Sequence, residues 1–158
     1  VTAPVSPTIY LDADACPVKE QIFKVAARYR VPVLVVANSP IRIPDVSGLT
    51  ARLVVVPDSP DAADDHIVER ATAKDLVLTA DIPLAARVIE NGVRCLDFRG
   101  GEFHPNRIGD ALASREVNAF LRSMGMGGSG PPPFSQRDRA RFASFLDTAV
   151  NRLVREST

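Results

Sequence analysis

Asp12-Ala13-Asp14-Ala15 stands where a short apolar stretch, Thr8-Ile9-Tyr10-Leu11, runs out and a helical pattern takes over from Pro17. Two acids at a strand end repel each other at close range, and burial raises the cost of keeping both ionised. A divalent cation between them removes that cost. Other acids fall at comparable places. Asp64 and Asp65 lie early in a later helix, and Asp81 lies just past the apolar run Leu76-Val77-Leu78-Thr79. In an open parallel sheet the carboxyl ends of the strands face one crevice, and a helix that starts beside it adds its first-turn side chains. Carboxylates converging there are hard oxygen ligands suited to Mg²⁺ or Mn²⁺. Such a cation activates water and stabilises a phosphoryl-transfer transition state. The expected metal ligands are Asp12, Asp14, Asp64, Asp65 and Asp81.

Each acid also has a plain structural use. Acids in a helix's first turn complement the dipole. Asp61 reads as an N-cap, and Asp81 is placed to cap the helix at Pro83. Asp97, at the end of a fifth strand, is a weaker candidate, and Asp58 and Asp75 read as turn residues. It is Asp12 and Asp14 together that resist the structural explanation.

Around this core several residues are candidates for phosphate contact. Lys19 sits in the first turn of its helix, where a cation opposes the dipole; an anion, either Asp14 or a substrate phosphate, would account for it. Asn38 ends the second strand and Arg42 lies in the loop after it; both are assigned to substrate, with a turn role the rival for Asn38. Cys16 lies at a helix N-terminus, a setting that activates thiols, yet neither His66 nor His104 is tied to it, and packing is the preferred reading. Cys95 reads as core. Arg107, Arg115, Arg122, Arg137, Arg141, Arg152 and Arg155 could track an RNA backbone, but few aromatics accompany them for base stacking, so a solvated face is favoured.

The elements that must position these residues alternate strand and helix. Strands are expected at Ile9-Tyr10-Leu11, Val33-Leu34-Val35-Val36-Ala37, Arg52 to Val56, Leu76 to Thr79 and Val93 to Phe98. Helices are expected from Pro17 to Tyr29, from Ser59-Pro60-Asp61 to about Ala73, and from Pro83 to Glu90. This rhythm predicts an α/β fold with a mostly parallel central sheet and helices on both faces. The last third adds a helix from Pro105 to Met124, a Gly/Ser/Pro linker over 125–134, and a C-terminal helix from Ser135 to about Arg155. The apolar stripe Phe142, Phe145, Leu146, Ala149, Val150 and Leu153 needs a surface. It docks on the domain, residues 1–124, or on a second subunit in a homodimer.

Composition narrows the class. The 158 residues are 46% hydrophobic and 24% charged, ordinary for a globular chain long enough to bury a core. Formal net charge is zero, so a nucleic-acid partner would need a local basic face. Two cysteines form no framework and argue for a reducing, cytoplasmic compartment. No apolar run has membrane-spanning length, and Val1 to Pro7 lack the basic region of a signal peptide.

Asp12-Ala13-Asp14-Ala15-Cys16-Pro17-Val18-Lys19 resembles the opening of the YaiI/YqxD family of uncharacterised bacterial proteins. Asp61-Ala62-Ala63-Asp64-Asp65-His66-Ile67, Thr79-Ala80-Asp81-Ile82-Pro83-Leu84-Ala85, Gly130-Pro131-Pro132-Pro133-Phe134 and Asp138-Arg139-Ala140-Arg141-Phe142 are similar to its later blocks. The resemblance covers nearly the whole chain. It implies a PIN-like, Rossmann-like three-layer fold with extra C-terminal helices, because that family is placed near the PIN-like ribonucleases. It further implies Asp12, Asp64 and Asp81 as the acidic triad, with Asp65 a substitute for Asp64 since the spacing to Thr79 departs slightly from ordinary PIN domains.

The leading expectation is a metal-dependent nuclease acting on RNA or another phosphodiester. Its catalytic set is Asp12, Asp14, Asp64, Asp81 and Lys19, with Mg²⁺ or Mn²⁺. A rival is a haloacid-dehalogenase-like phosphotransferase with Asp12 as nucleophile and Asp14 as acid/base, with Thr79, Lys74 and Asp81 as later motifs. Cys16-Pro17 and the lack of a cap insertion speak against it. A third reading is a non-catalytic nucleic-acid or partner-binding module.

Overall fold

The computed structural model describes residues 7–59, 61–125 and 134–157. Most of the Gly/Ser/Pro linker, together with Pro60, lies outside the described residues. The strands are β1 (Ile9–Asp12), β2 (Val33–Ala37), β3 (Ala51–Val55), β4 (Leu76–Leu78) and β5 (Arg94–Leu96). The helices are α1 (Lys19–Tyr29), α2 (Ala62–Arg70), α3 (Ile82–Glu90), α4 (Pro105–Ser123) and α5 (Gln136–Glu156). All five strands are parallel, in the order β3-β2-β1-β4-β5. β1 is central, with Ile9 facing Val33 on one side and Leu76 on the other.

The fold is a three-layer α/β sandwich. Successive side chains of a strand point to opposite faces, and the apolar runs are continuous because both faces are covered. On one face Ile9, Leu11, Val33, Val35, Leu76, Leu78 and Leu96 meet Ile22, Val25 and Ala26 of α1 and Phe142, Leu146, Val150 and Leu153 of α5. On the other, Tyr10, Val36, Val77 and Cys95 meet Ile67 of α2 and Leu84, Ala85 and Val88 of α3. α4 packs along α3. The β2–β3 crossover has no helix. Ile41, Ile43 and Leu49 of this loop pack on the first core instead. Gly48 closes the loop at φ +87°, where a Cβ would lie 2.9 Å from the Ala27 carbonyl oxygen.

α5 completes the first face from within the chain. Tyr29 Oη donates to Asp147 Oδ1 at 2.6 Å and accepts from Asn151 Nδ2 at 3.2 Å, and Arg28 pairs with Asp147. Phe98 and Phe142 meet edge-to-face with centroids 6.4 Å apart. Ser135 and Asp138 form a capping box at its start. The apolar stripe is therefore buried without calling for a second subunit. Among the described residues no helix is long and apolar enough to cross a membrane.

Element ends differ from the sequence expectation where local turns intervene. α1 starts at Lys19 rather than Pro17, because Ala15 adopts φ +63° and the Cys16 N–H closes a turn onto the Ala13 carbonyl. α2 stops at Arg70, short of Ala73, because Ala71 is extended and Asp75 gathers the next turn, accepting from the backbone N–H and hydroxyl of Thr72. β5 ends at Leu96, since Asp97 bends the chain by accepting from the N–H groups of Arg99 and Gly101, each at 2.8 Å.

Candidate functional site

The acids that the topology brings together are Asp12, Asp64 and Asp81. Asp12 ends the central strand. The chain leaves β4 through Thr79, whose fully buried hydroxyl donates to Asp12 Oδ2 at 2.6 Å. Thr79 Oγ1 in turn accepts the Asp81 backbone N–H at 2.9 Å. Asp81 is the N-cap of α3, and its Oδ1 accepts the Leu84 N–H at 3.1 Å. One oxygen of each carboxylate is thus fixed by a hydrogen bond, and the other is left for a ligand. Asp64 enters from the first turn of α2.

Electrostatics shows that the three share one field. Burial pushes the Asp12 carboxyl above the usual carboxylate range; the Thr79 hydrogen bond opposes this, while Asp81 and Asp14 add to it. Asp64 is pushed up to about 6, first by burial, then by Asp81 and Asp12, with Arg87 opposing. Asp81 thus lies within electrostatic reach of both Asp12 and Asp64, and Asp12 within reach of Asp64.

The remaining candidates fall outside this trio. Asp65 points to α3, pairing with Arg87 at 2.9 Å, so Asp64 is the member of the pair turned toward Asp12 and Asp81. Asp14 accepts the Asn38 backbone N–H at 3.0 Å and so ties the end of β1 to the end of β2. Asn38 turns its own amide to Asp58, 3.1 Å away. Lys19 does not pair with Asp14. Its Nζ donates to the Cys16 carbonyl at 2.9 Å, which satisfies a backbone acceptor just ahead of the helix. Arg42 is exposed on the β2–β3 loop. Asp61 occupies the N-cap position of α2, but its side chain makes no capping bond. Asp97 is spent on its turn. Burial pushes the Cys16 thiol up to about 11, so the helix-terminus expectation of activation gives way to packing.

The donor chemistry fits a hard divalent cation: three carboxylates from three elements, two of them held at energetic cost in the protonated direction. Among the described residues no three His, Cys, Asp or Glu side chains are already arranged to hold a metal. Mg²⁺ commonly keeps several waters and takes only one or two carboxylates, so a closed protein cage is not required. Asp12, Asp81 and Asp64 are the residues that would hold it.

Residues 10–152 match the family model described as "Uncharacterized BCR, YaiI/YqxD family". The chain belongs to this family. It is 47% identical to a UPF0178 protein of Trichlorobacter lovleyi, over 95% of this chain and 97% of that one. It is 51% identical to a UPF0178 protein of Sphingopyxis alaskensis, over 95% and 97%. It is 50% identical to one of Caulobacter sp., over 90% and 93%. No solved structure matches the chain. The family match thus runs from β1 into α5, and membership alone leaves the chemistry of the crevice to be argued from its residues.

Two residues of the site are hard to read from sequence. Thr79 has a visible signal, a hydroxyl two positions before a strand-end acid, but its bond to Asp12 depends on β1 and β4 being neighbours. Arg87 has none, because its pairing with Asp65 depends on how α2 and α3 pack.

Proposed function

We propose that the crevice at the carboxyl ends of β1 and β4 hydrolyses a phosphodiester, preferably in RNA, with Mg²⁺ or Mn²⁺ held by Asp12, Asp64 and Asp81. The observation that carries this reading is the convergence of acids from three elements, with Asp12 and Asp81 joined through Thr79 and with Asp12 raised and Asp64 brought to about 6, first by burial and then by the neighbouring carboxylates. Carboxylates held at such cost are what a divalent cation relieves. When bound, the cation supplies charge neutralisation at the phosphate and a lower pKa for water beside it.

The chain's own groups then have separable tasks. Asp12 and Asp81 present pre-fixed carboxylates, each oriented by one hydrogen bond. Asp64, raised to about 6, would hold the cation in its ionised form, which would couple loading to pH. Asp14 stiffens the strand ends through the Asn38 N–H. Lys19 uses one of an ammonium's three donors on Cys16 and can offer the others to a non-bridging phosphate oxygen. Asn38, just past the end of β2, and Arg42, exposed on the loop that follows, are the proposed substrate contacts.

The test is Mn²⁺ and Mg²⁺ calorimetry followed by cleavage of end-labelled RNA, for the wild type and for Asp12→Asn, Asp64→Asn and Asp81→Asn. Loss of binding and of at least about a hundredfold in cleavage rate is expected in each folded variant. Cleavage retained by Asp81→Asn, or a phosphate trapped covalently on Asp12, would overturn the assignment.

A further inference from the structure

Thr79 is fully buried, yet its hydroxyl is not a passive filler. The Asp81 N–H can only donate, so its 2.9 Å bond to Oγ1 consumes an acceptor site on the hydroxyl. The single hydroxyl proton is then directed to Asp12 Oδ2, 2.6 Å away. The amide fixes the direction of its own bond, and an ionised Asp12 has no proton to give, so in the second bond the hydroxyl is the donor. The result is a relay from the end of β1, through the residue after β4, into the N-cap of α3. It links the two acids by atoms rather than by proximity alone.

We propose that Thr79 is a positioning residue that sets the spacing of Asp12 and Asp81 for a divalent cation; this rests on the metal reading given above. The hydroxyl engages Oδ2 of Asp12 and the Leu84 N–H engages Oδ1 of Asp81. Asp12 and Asp81 would each then have one oxygen less engaged with which to hold the cation, which would suit a hard ion that takes few carboxylate contacts. Residues that orient ligands in this way commonly affect metal affinity by about 10–100-fold when removed.

The experiment is Mn²⁺ titration of the full chain by calorimetry, comparing the wild type with Thr79→Val, Thr79→Ser and Asp12→Asn, each checked for folding by circular dichroism. Thr79→Val keeps the shape and removes the hydroxyl. Its affinity should fall about tenfold or more, and Thr79→Ser should return toward the wild-type value. A purely structural role for Thr79 would lower the melting temperature without changing affinity in the folded protein. Unchanged affinity in Thr79→Val, beside lost binding in Asp12→Asn, overturns the Thr79 proposal and leaves the metal reading standing. Absence of Mn²⁺ binding in the wild type, or undiminished binding in Asp12→Asn, overturns both. If Thr79→Val does not fold, the wild type decides the matter by NMR. The Thr79 hydroxyl proton should be slow to exchange and should shift as Mg²⁺ saturates the protein, and a resonance unmoved at saturation refutes the proposal.

Discussion

Asp81 carries two loads at one position, an N-cap bond to Leu84 and a share of the acidic field. Asn and Ala substitutions separate them. Asn is as good a cap as Asp, whereas Ala costs about 1 kcal/mol. Asp81→Asn should therefore melt near the wild type, or above it because a repulsion is gone, while Asp81→Ala melts lower. Both should lose Mn²⁺. Equal destabilisation of the two, measured by thermal melting without metal, would show that the cap contributes nothing. Asp64 gives a prediction in pH. Its folded value of about 6 lies above the ordinary 3.8, so the folded state binds the extra proton. Stability from this group is full below about pH 4 and is lost as pH rises toward 6. Urea midpoints of wild type and Asp64→Asn across pH 4–7 should show the wild type losing ground with rising pH relative to the variant. A parallel pair of curves would refute the shift. Cation affinity should move the other way, falling about tenfold per unit below pH 6, because one proton must leave on binding. At this scale the sequence made Asp12 and Asp81 legible through their places at strand ends. It left Asp64 and Asp65 open, since neighbours on a helix differ by a rotation that only packing with Arg87 resolves.

Among the elements, α5 is the one whose loss should cost most for its distance from the site. Phe142 is fully buried and stacks edge-to-face on Phe98. Phe142→Ala should destabilise the protein by about 3–5 kcal/mol in urea unfolding, through lost burial and the cavity left behind. A change under about 1 kcal/mol would mean that α5 is not docked as described. Periodicity made every strand and helix legible, including the apolar stripe of α5. It did not say what the stripe covers, because a stripe specifies a partner's chemistry and not its address. The ends of α1, α2 and β5 shifted for one shared reason: the left-handed Ala15 and the turn acids Asp75 and Asp97 make local bonds that hydropathy does not register.

At the level of the whole molecule, β1 and β4 lie inside the sheet while β3 and β5 are its edges. Amide exchange should be slowest at Tyr10, Leu11 and Val77, whose strands are paired on both sides, and faster along β3. Comparable rates in β1 and β3 would contradict the strand order. The alternating pattern predicts a mostly parallel α/β sheet, because such crossovers place helices on both faces, and all five strands are parallel. The order of strands depends on which apolar runs pair, and several runs here are chemically interchangeable, Val33-Leu34-Val35-Val36 and Leu53-Val54-Val55-Val56 among them.

The helix that shares a face with α1 follows it by more than a hundred residues: among the described residues, the Tyr29 hydroxyl bonds to Asp147 and Asn151. During synthesis at about 5–20 residues per second, α1 and the first strands emerge several seconds before the segment that covers them exists. For that interval the nascent chain carries an open greasy face. Until α5 arrives, Ile22, Val25 and Ala26 of α1 are open to non-native contacts that the finished fold forbids.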